Sequence, residues 1–151
     1  GRSGSQERPA VVGTFSVYRV KGGAQVEMMK KTNMVTAPGI RQAWKLFAGD
    51  TNNVFDNNSY LAVGNSDSIT DTSMTTLQGD TTAAQKVDSH THGANYIQYY
   101  KRFHSGDANF SWQEFALFND SGKVMFNRAT SNIGPKDTTD TFDLVLRLTM
   151  D

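Results

Sequence analysis

From Thr138 to Asp151 the chain alternates between apolar and polar residues. Phe142, Leu144, Leu146 and Leu148 fall on one face, and Asp143, Arg147 and Thr149 on the other. A period of two is what a half-buried β-strand requires, because successive side chains point to opposite faces of a sheet. A strand this regular is expected to pair in mid-sheet or to close a sandwich. Similar alternation runs through residues 11–20, Lys21-Gly22-Gly23 supplies turn chemistry, and residues 24–31 read as the return strand of a hairpin. Met28 and Met29 are neighbours there, so a regular strand would turn them to opposite faces, one of them toward another surface.

One segment carries a helical period instead. Pro38 suits a first helical turn, Ile40, Ala43, Trp44 and Phe47 recur at helical spacing, and Gly49 stands where a left-handed cap is expected. A helix of about three turns is not stable alone, so its apolar stripe is expected to pack on the sheet. Further strands are read at residues 59–64, 84–92, 95–104, 109–119 and 123–130. A long polar connection over 65–79 is anchored by Met74 and Leu77, with Asp71 as a cap for one helical turn. Residues 132–136 read as a loop. In 95–104, Ile97, Tyr99 and Phe103 share one face, opposite Tyr96, Gln98, Tyr100 and Arg102. In 109–119 aromatic residues occupy both faces, as in a strand buried on two sides. The expected fold is mainly β: a single-domain, jelly-roll-like β-sandwich with one short α-helix and an extended N-terminal arm. Residues 1–31 would form the arm and first hairpin, and 32–151 the sandwich.

Composition supports this class. Nine Phe, five Tyr and two Trp among 151 residues supply the bulk for a core that a disordered chain lacks. No cysteine is present, which excludes disulfides and thiolate metal sites. No signal-peptide pattern and no apolar run near membrane-spanning length is seen, so no membrane partner is expected. Formal net charge is zero but unevenly spread: residues 1–47 hold eight Arg or Lys against two acids, and residues 48–151 seven against thirteen. Overall neutrality argues against nucleic acid as a partner. The asymmetry fits an N-terminal arm that docks on an acidic surface.

Candidate chemistry is sparse. His90 and His92 would point the same way on a strand and could hold two positions of a metal site, with His104 or an Asp as third ligand; the pair lacks zinc-type spacing and reads better as a polar strand edge. Asp50, Asn52, Asn53, Asp56 and Asn57 make an oxygen-rich loop without the glycine and final Glu of a calcium loop, and Asp67 and Asp71 read as solvated. No G-x-S-x-G elbow and no phosphate-binding spacing occurs. Trp112, Glu114 and the cluster Tyr96, Tyr99 and Tyr100 could serve a saccharide site. An isolated Glu in an aromatic strand, however, is more often paired with an Arg or turned to solvent. No catalytic residue, cofactor or metal is assigned.

Several ordered pieces carry a resemblance. Residues 108–119, ANFSWQEFALFN, resemble the "EANF-x-W-x-E-W-G-L/V-F-N" signature of small virion structural proteins of tailed bacteriophages. Tyr60-Leu61-Ala62-Val63-Gly64-Asn65-Ser66 with Thr75-Thr76-Leu77-Gln78-Gly79 is similar to that family's "Y-I-G-V-G-x-S … T-x-L-x-G". Met125-Phe126-Asn127-Arg128, then Ile133-Gly134-Pro135-Lys136 and the final strand, is similar to its "M-L-N-R … L-G-x-K … L-T-V-T". Thr32-Asn33-Met34-Val35-Thr36 resembles the "x-N-L-V-T" start of phage appendage proteins. Phe115, Ala116 and Pro135 depart from the pattern.

The resemblance carries no catalytic residues. It implies a non-enzymatic protein on the outer surface of the virion, a capsid decoration or cement protein that binds the major capsid protein, often as a homotrimer. A tail component (fibre-attachment or tail-tip) is the alternative, and a carbohydrate-binding virion module a more distant one. Arg2, Arg8, Met28, Met29, Lys30 and Lys31 are the expected capsid contacts, and Tyr99 and Tyr100 the expected intersubunit contacts.

Overall fold

The computed structural model describes residues 11–49, 55–56, 58–119 and 124–150, apart from the side chains at positions 34, 37, 42, 45–47 and 150. Ten strands and one helix follow in the order β1 (Val11–Lys21), β2 (Ala24–Thr32), β3 (Met34–Val35), α1 (Ala37–Phe47), β4 (Tyr60–Gly64), β5 (Thr82–Lys86), β6 (Ser89–His92), β7 (Tyr96–Phe103), β8 (Ser111–Phe118), β9 (Met125–Pro135) and β10 (Phe142–Met150). They form two antiparallel five-stranded sheets, β2-β1-β10-β7-β6 and β3-β9-β8-β4-β5. One apolar cluster joins them: Phe15, Val17, Leu144 and Leu146 from the first sheet meet Leu61, Val63, Phe115 and Leu117 from the second. The fold is therefore a β-sandwich with a shared core.

The final strand lies in mid-sheet, with β10 between β1 and β7. Its apolar face supplies Phe142, Leu144 and Leu146 to the core, all fully buried. Pairing β1 with β10 from Val11↔Met150 to Arg19↔Phe142 builds the first hairpin into the sheet. The expected division after residue 31 is thus not a structural boundary, and residues 11–31 are no loose arm. Residues 1–10 lie outside the described part. Gly22 and Gly23 make the hairpin turn with φ of 56° and 82°, values that glycine adopts without strain.

The adjacent methionines do not face opposite ways. Val17 pairs with Met29 and Tyr18 with Glu27, which leaves Met28 as the extra residue of a bulge. Met29 is buried and Met28 packs against the same core cluster.

Three other expectations change. The run 84–92 is not one strand, because the chain changes sheets within it. Val87 N–H donates to Ser59 O, just before β4 of the second sheet, and the next amide, Asp88 N–H, donates to Tyr100 O of the first. The loop expected at 132–136 is the end of β9, where Gly134 takes φ of 88° in an irregular stretch that opposes Trp112 and Glu114. Helix α1 forms as read: Gly39 N–H donates to Thr36 Oγ1 at its start, and Gly49 ends it with φ of 89°. Two members of its apolar stripe stay off the sheet, however. Ile40 and Trp44 are exposed, and contact with β9 runs through buried Gly39. A Cβ there would stand 2.3 Å from Phe126 O. Gly39→Ala is expected to push α1 off β9, costing about 1–3 kcal/mol in urea unfolding.

Candidate functional site

The long connection between β4 and β5 covers the outward face of the second sheet. Leu77 and Met74 pack there against Ala62, Ala116, Phe118 and Met125, so both expected anchors hold. Asp71 caps a turn rather than a helical turn: its Oδ1 accepts from Ser73 N–H at 2.7 Å, and this bond holds its carboxyl below the usual range.

Beneath the connection lies a fully buried ion pair, Glu114 on β8 and Arg128 on β9, with Arg128 Nε 2.9 Å from Glu114 Oε1. Both ions find further partners, as charges removed from water must. Glu114 accepts from Gln78 N–H at 2.9 Å and Gly79 N–H at 2.7 Å. The Arg128 guanidinium donates to Ser68 O, Thr70 Oγ1, Ser68 Oγ and Ser66 O. The pair clamps both ends of the connection onto the sheet. Gly64 and Gly79 make room for it, since a Cβ at either would come within 2.2 Å or 2.9 Å of Glu114 Oε2. Gly64→Ala is expected to lower unfolding free energy by about 1–3 kcal/mol, measured by denaturant titration, because the held carboxylate cannot yield.

A second polar junction closes one end of the sandwich. Lys136, buried, donates from Nζ to His104 O at 2.7 Å and Asn109 Oδ1 at 2.8 Å. Burial lowers its pKa. Trp112 Nε1–H donates to Ala108 O at 2.9 Å, and Ala108 itself takes a positive φ of 51°. Trp112 is fully buried, edge-on to Phe103 and Phe142 of the first sheet at 5.1 Å each. A saccharide site built on Trp112 and Glu114 therefore fails, since neither side chain reaches solvent.

On the outward face of the first sheet Asp143 is the polar centre. Its carboxylate accepts from Gln25 Nε2 (2.7 Å), Tyr100 Oη (3.0 Å), Arg102 Nε (2.8 Å) and an Arg102 terminal nitrogen (3.0 Å). Burial alone would raise the Asp143 pKa, but the bonds from Arg102, Gln25 and Tyr100 outweigh it and the net shift is downward. A carboxyl held lower in the fold than in the unfolded chain adds stability above the ordinary Asp range and loses it as pH falls through the folded value. Asp143→Asn is thus expected to flatten the loss of stability below about pH 4, read from melting temperature against pH.

The residues expected as contacts are scattered. Lys30 and Lys31 are exposed, and Lys30 Nζ lies 3.8 Å from Glu27. Arg2 and Arg8 are outside the described residues. Met29 and Tyr99 must be corrected: both are buried, and Tyr99 Oη donates to Phe55 O at 2.6 Å. Burial raises the Tyr99 pKa, with Asp56 adding to it. Tyr100 is half-buried and tied to Asp143. His90 and His92 register with Tyr99 and Ile97 on one face, and the His90 ring stacks on Tyr99 at 6.1 Å. Among the described residues no three His, Cys, Asp or Glu come together as metal ligands. Of the oxygen-rich loop, Asp50, Asn52, Asn53 and Asn57 lie outside the described residues. No described helix is long and apolar enough to cross a membrane.

Sequence reading anticipated an Arg partner for Glu114 but did not identify Arg128, and it missed the roles of Lys136 and Asp143. The available signal was the same each time: a lone charge inside an apolar strand or at its end. No protein-family model, curated protein or solved structure matches this chain.

Proposed function

We propose that this chain is a non-enzymatic structural protein of a tailed bacteriophage particle, a decoration protein that binds the major capsid protein from outside as a homotrimer. One observation carries the reading. The separate sequence pieces that resemble phage virion proteins come together in two buried polar junctions. Gly64, Ser66, Gly79, Glu114 and Arg128 meet in the clamp, and Ala108, Asn109, Trp112 and Lys136 meet at the end of the sandwich. A signature spent on holding a scaffold suits a protein that adheres, because catalysis needs its polar groups within reach of substrate.

Attachment then falls to exposed positions. Lys30 and Lys31 on β2 offer positive charge, and Ile40 and Trp44 on α1 offer apolar area at 47% and 68% exposure. Repetition over a lattice turns weak single contacts into net stabilisation of the shell. The test is co-sedimentation of the purified chain with undecorated capsids of its phage. Saturating binding, weakened at higher salt and reduced about tenfold in a Lys30→Glu/Lys31→Glu variant, is the expected result. A chain left in the supernatant at every salt concentration would refute the reading.

A further inference from the structure

The outward face of the first sheet contains a recess whose shape follows from register. In one cross-strand row Ser16 sits between Lys30 and Val145; in the next, Thr14 sits beside Arg147, which faces Gln98. On the other side Tyr18 lies across from Asp143. Small residues at the centre and long ones at the rim make a hollow of about 340 Å³, with Ser16 and Val145 at its floor. Ser16 is only 6% exposed although it points away from the core.

The chemistry of the rim is one-sided. Lys30 and Arg147 bring positive charge, and Thr14, Ser16, Tyr18 and Gln98 bring hydroxyls and an amide. Among the described residues no carboxylate lines the hollow. Asp143 beside it is saturated by its four donors. Glu27 faces Lys30 in an exposed pair of the kind that contributes little. Arg147 has no carboxylate partner among the described residues. Its guanidinium lies 3.9 Å from the centre of the Tyr96 ring, and one of its nitrogens donates to Gln98 Oε1 at 3.3 Å. The stack fixes the guanidinium plane while leaving donors free for a bidentate acceptor.

We infer that this recess binds a saccharide bearing a carboxylate. Arg147 and Lys30 take the carboxylate, the Thr14, Ser16 and Tyr18 hydroxyls and the Gln98 amide take the sugar hydroxyls, and Val145 lies under the ring. The volume, at the lower end of the ~300–1,000 Å³ of small-molecule sites, suits one or two sugar rings and is larger than a lone carboxylate side chain needs. This site shares no residue with the failed Trp112 and Glu114 arrangement; it shares Lys30 with the proposed attachment surface, and its test therefore uses the free chain.

The test is an NMR titration of the purified chain with a glucuronate-containing disaccharide, with neutral cellobiose, acetate and poly-glutamate as separate arms. The acidic disaccharide should shift amides of β1, β10 and β7 around the recess. Cellobiose should bind at least about tenfold more weakly, and Arg147→Gln should cost the acidic sugar about tenfold. Val145→Phe, which fills the hollow, should abolish binding with the melting curve retained, and the melting curve of Arg147→Gln, at an exposed position, separates lost binding from lost stability. Three results would overturn the inference: no shifts from the disaccharide, equal binding of acetate and disaccharide, or binding of poly-glutamate alone.

Discussion

Glu114→Ala is expected to lower the unfolding free energy by about 3–5 kcal/mol, the largest loss at any polar position in this protein. The cost comes less from the attraction that disappears than from the charge left behind. Arg128 is fully buried, and without Glu114 its guanidinium keeps only the neutral oxygens of Ser66, Ser68 and Thr70. Gln78 N–H and Gly79 N–H lose their acceptors in the same step. The connection over residues 65–81 should then open before the sandwich does, giving early proteolytic cuts within it. The double variant Glu114→Gln/Arg128→Gln should cost clearly less than the sum of the two single changes, because neither charge remains stranded. Urea titrations of the four proteins measure this coupling. Additive losses would mean that the two ions do not act as a pair.

Trp112→Ala is expected to cost about as much, roughly 3–5 kcal/mol, for a different reason. The indole stands between the sheets, edge-on to Phe103 and Phe142 of the first and tilted 70° against Phe115 of the second at 6.2 Å. Its removal leaves a cavity at the sheet junction and takes one of two donors from the Ala108 carbonyl, which keeps only Phe110 N–H in its positive-φ turn. Trp112→Phe should recover part of the packing but not the hydrogen bond, so its loss should be smaller. Thermal unfolding of both variants orders the two contributions. A Trp112→Ala protein that melts like the parent would contradict the place given to the indole in the core.

Alternation alone disclosed β10 and its apolar face, because a period of two reports one buried side directly. It misled at residues 84–92. There, alternation continues through Val87 and Asp88 while the backbone passes from one sheet to the other, and no Gly or Pro marks the passage. The helix shows another limit. Periodicity found the stripe of Ile40, Ala43, Trp44 and Phe47, but close approach to β9 comes at Gly39, which a hydrophobic pattern does not register. Met28 and Met29 share a core because a bulge adds one residue, and register of that kind is fixed by the partner strand. The clamp was half legible. A lone Glu in an aromatic strand announces a partner, but which Arg answers it depends on how β8 and β9 pair. Lys136 and Asp143 were hidden for the same reason: their partners are far away in sequence.

The copy number of this chain in purified phage particles tests the adhesive reading most directly. Quantitative mass spectrometry against the major capsid protein should find it present in hundreds, at a fixed ratio to the lattice subunit. A few to a few tens of copies would place it on the tail instead, and its absence from assembled particles would contradict the account.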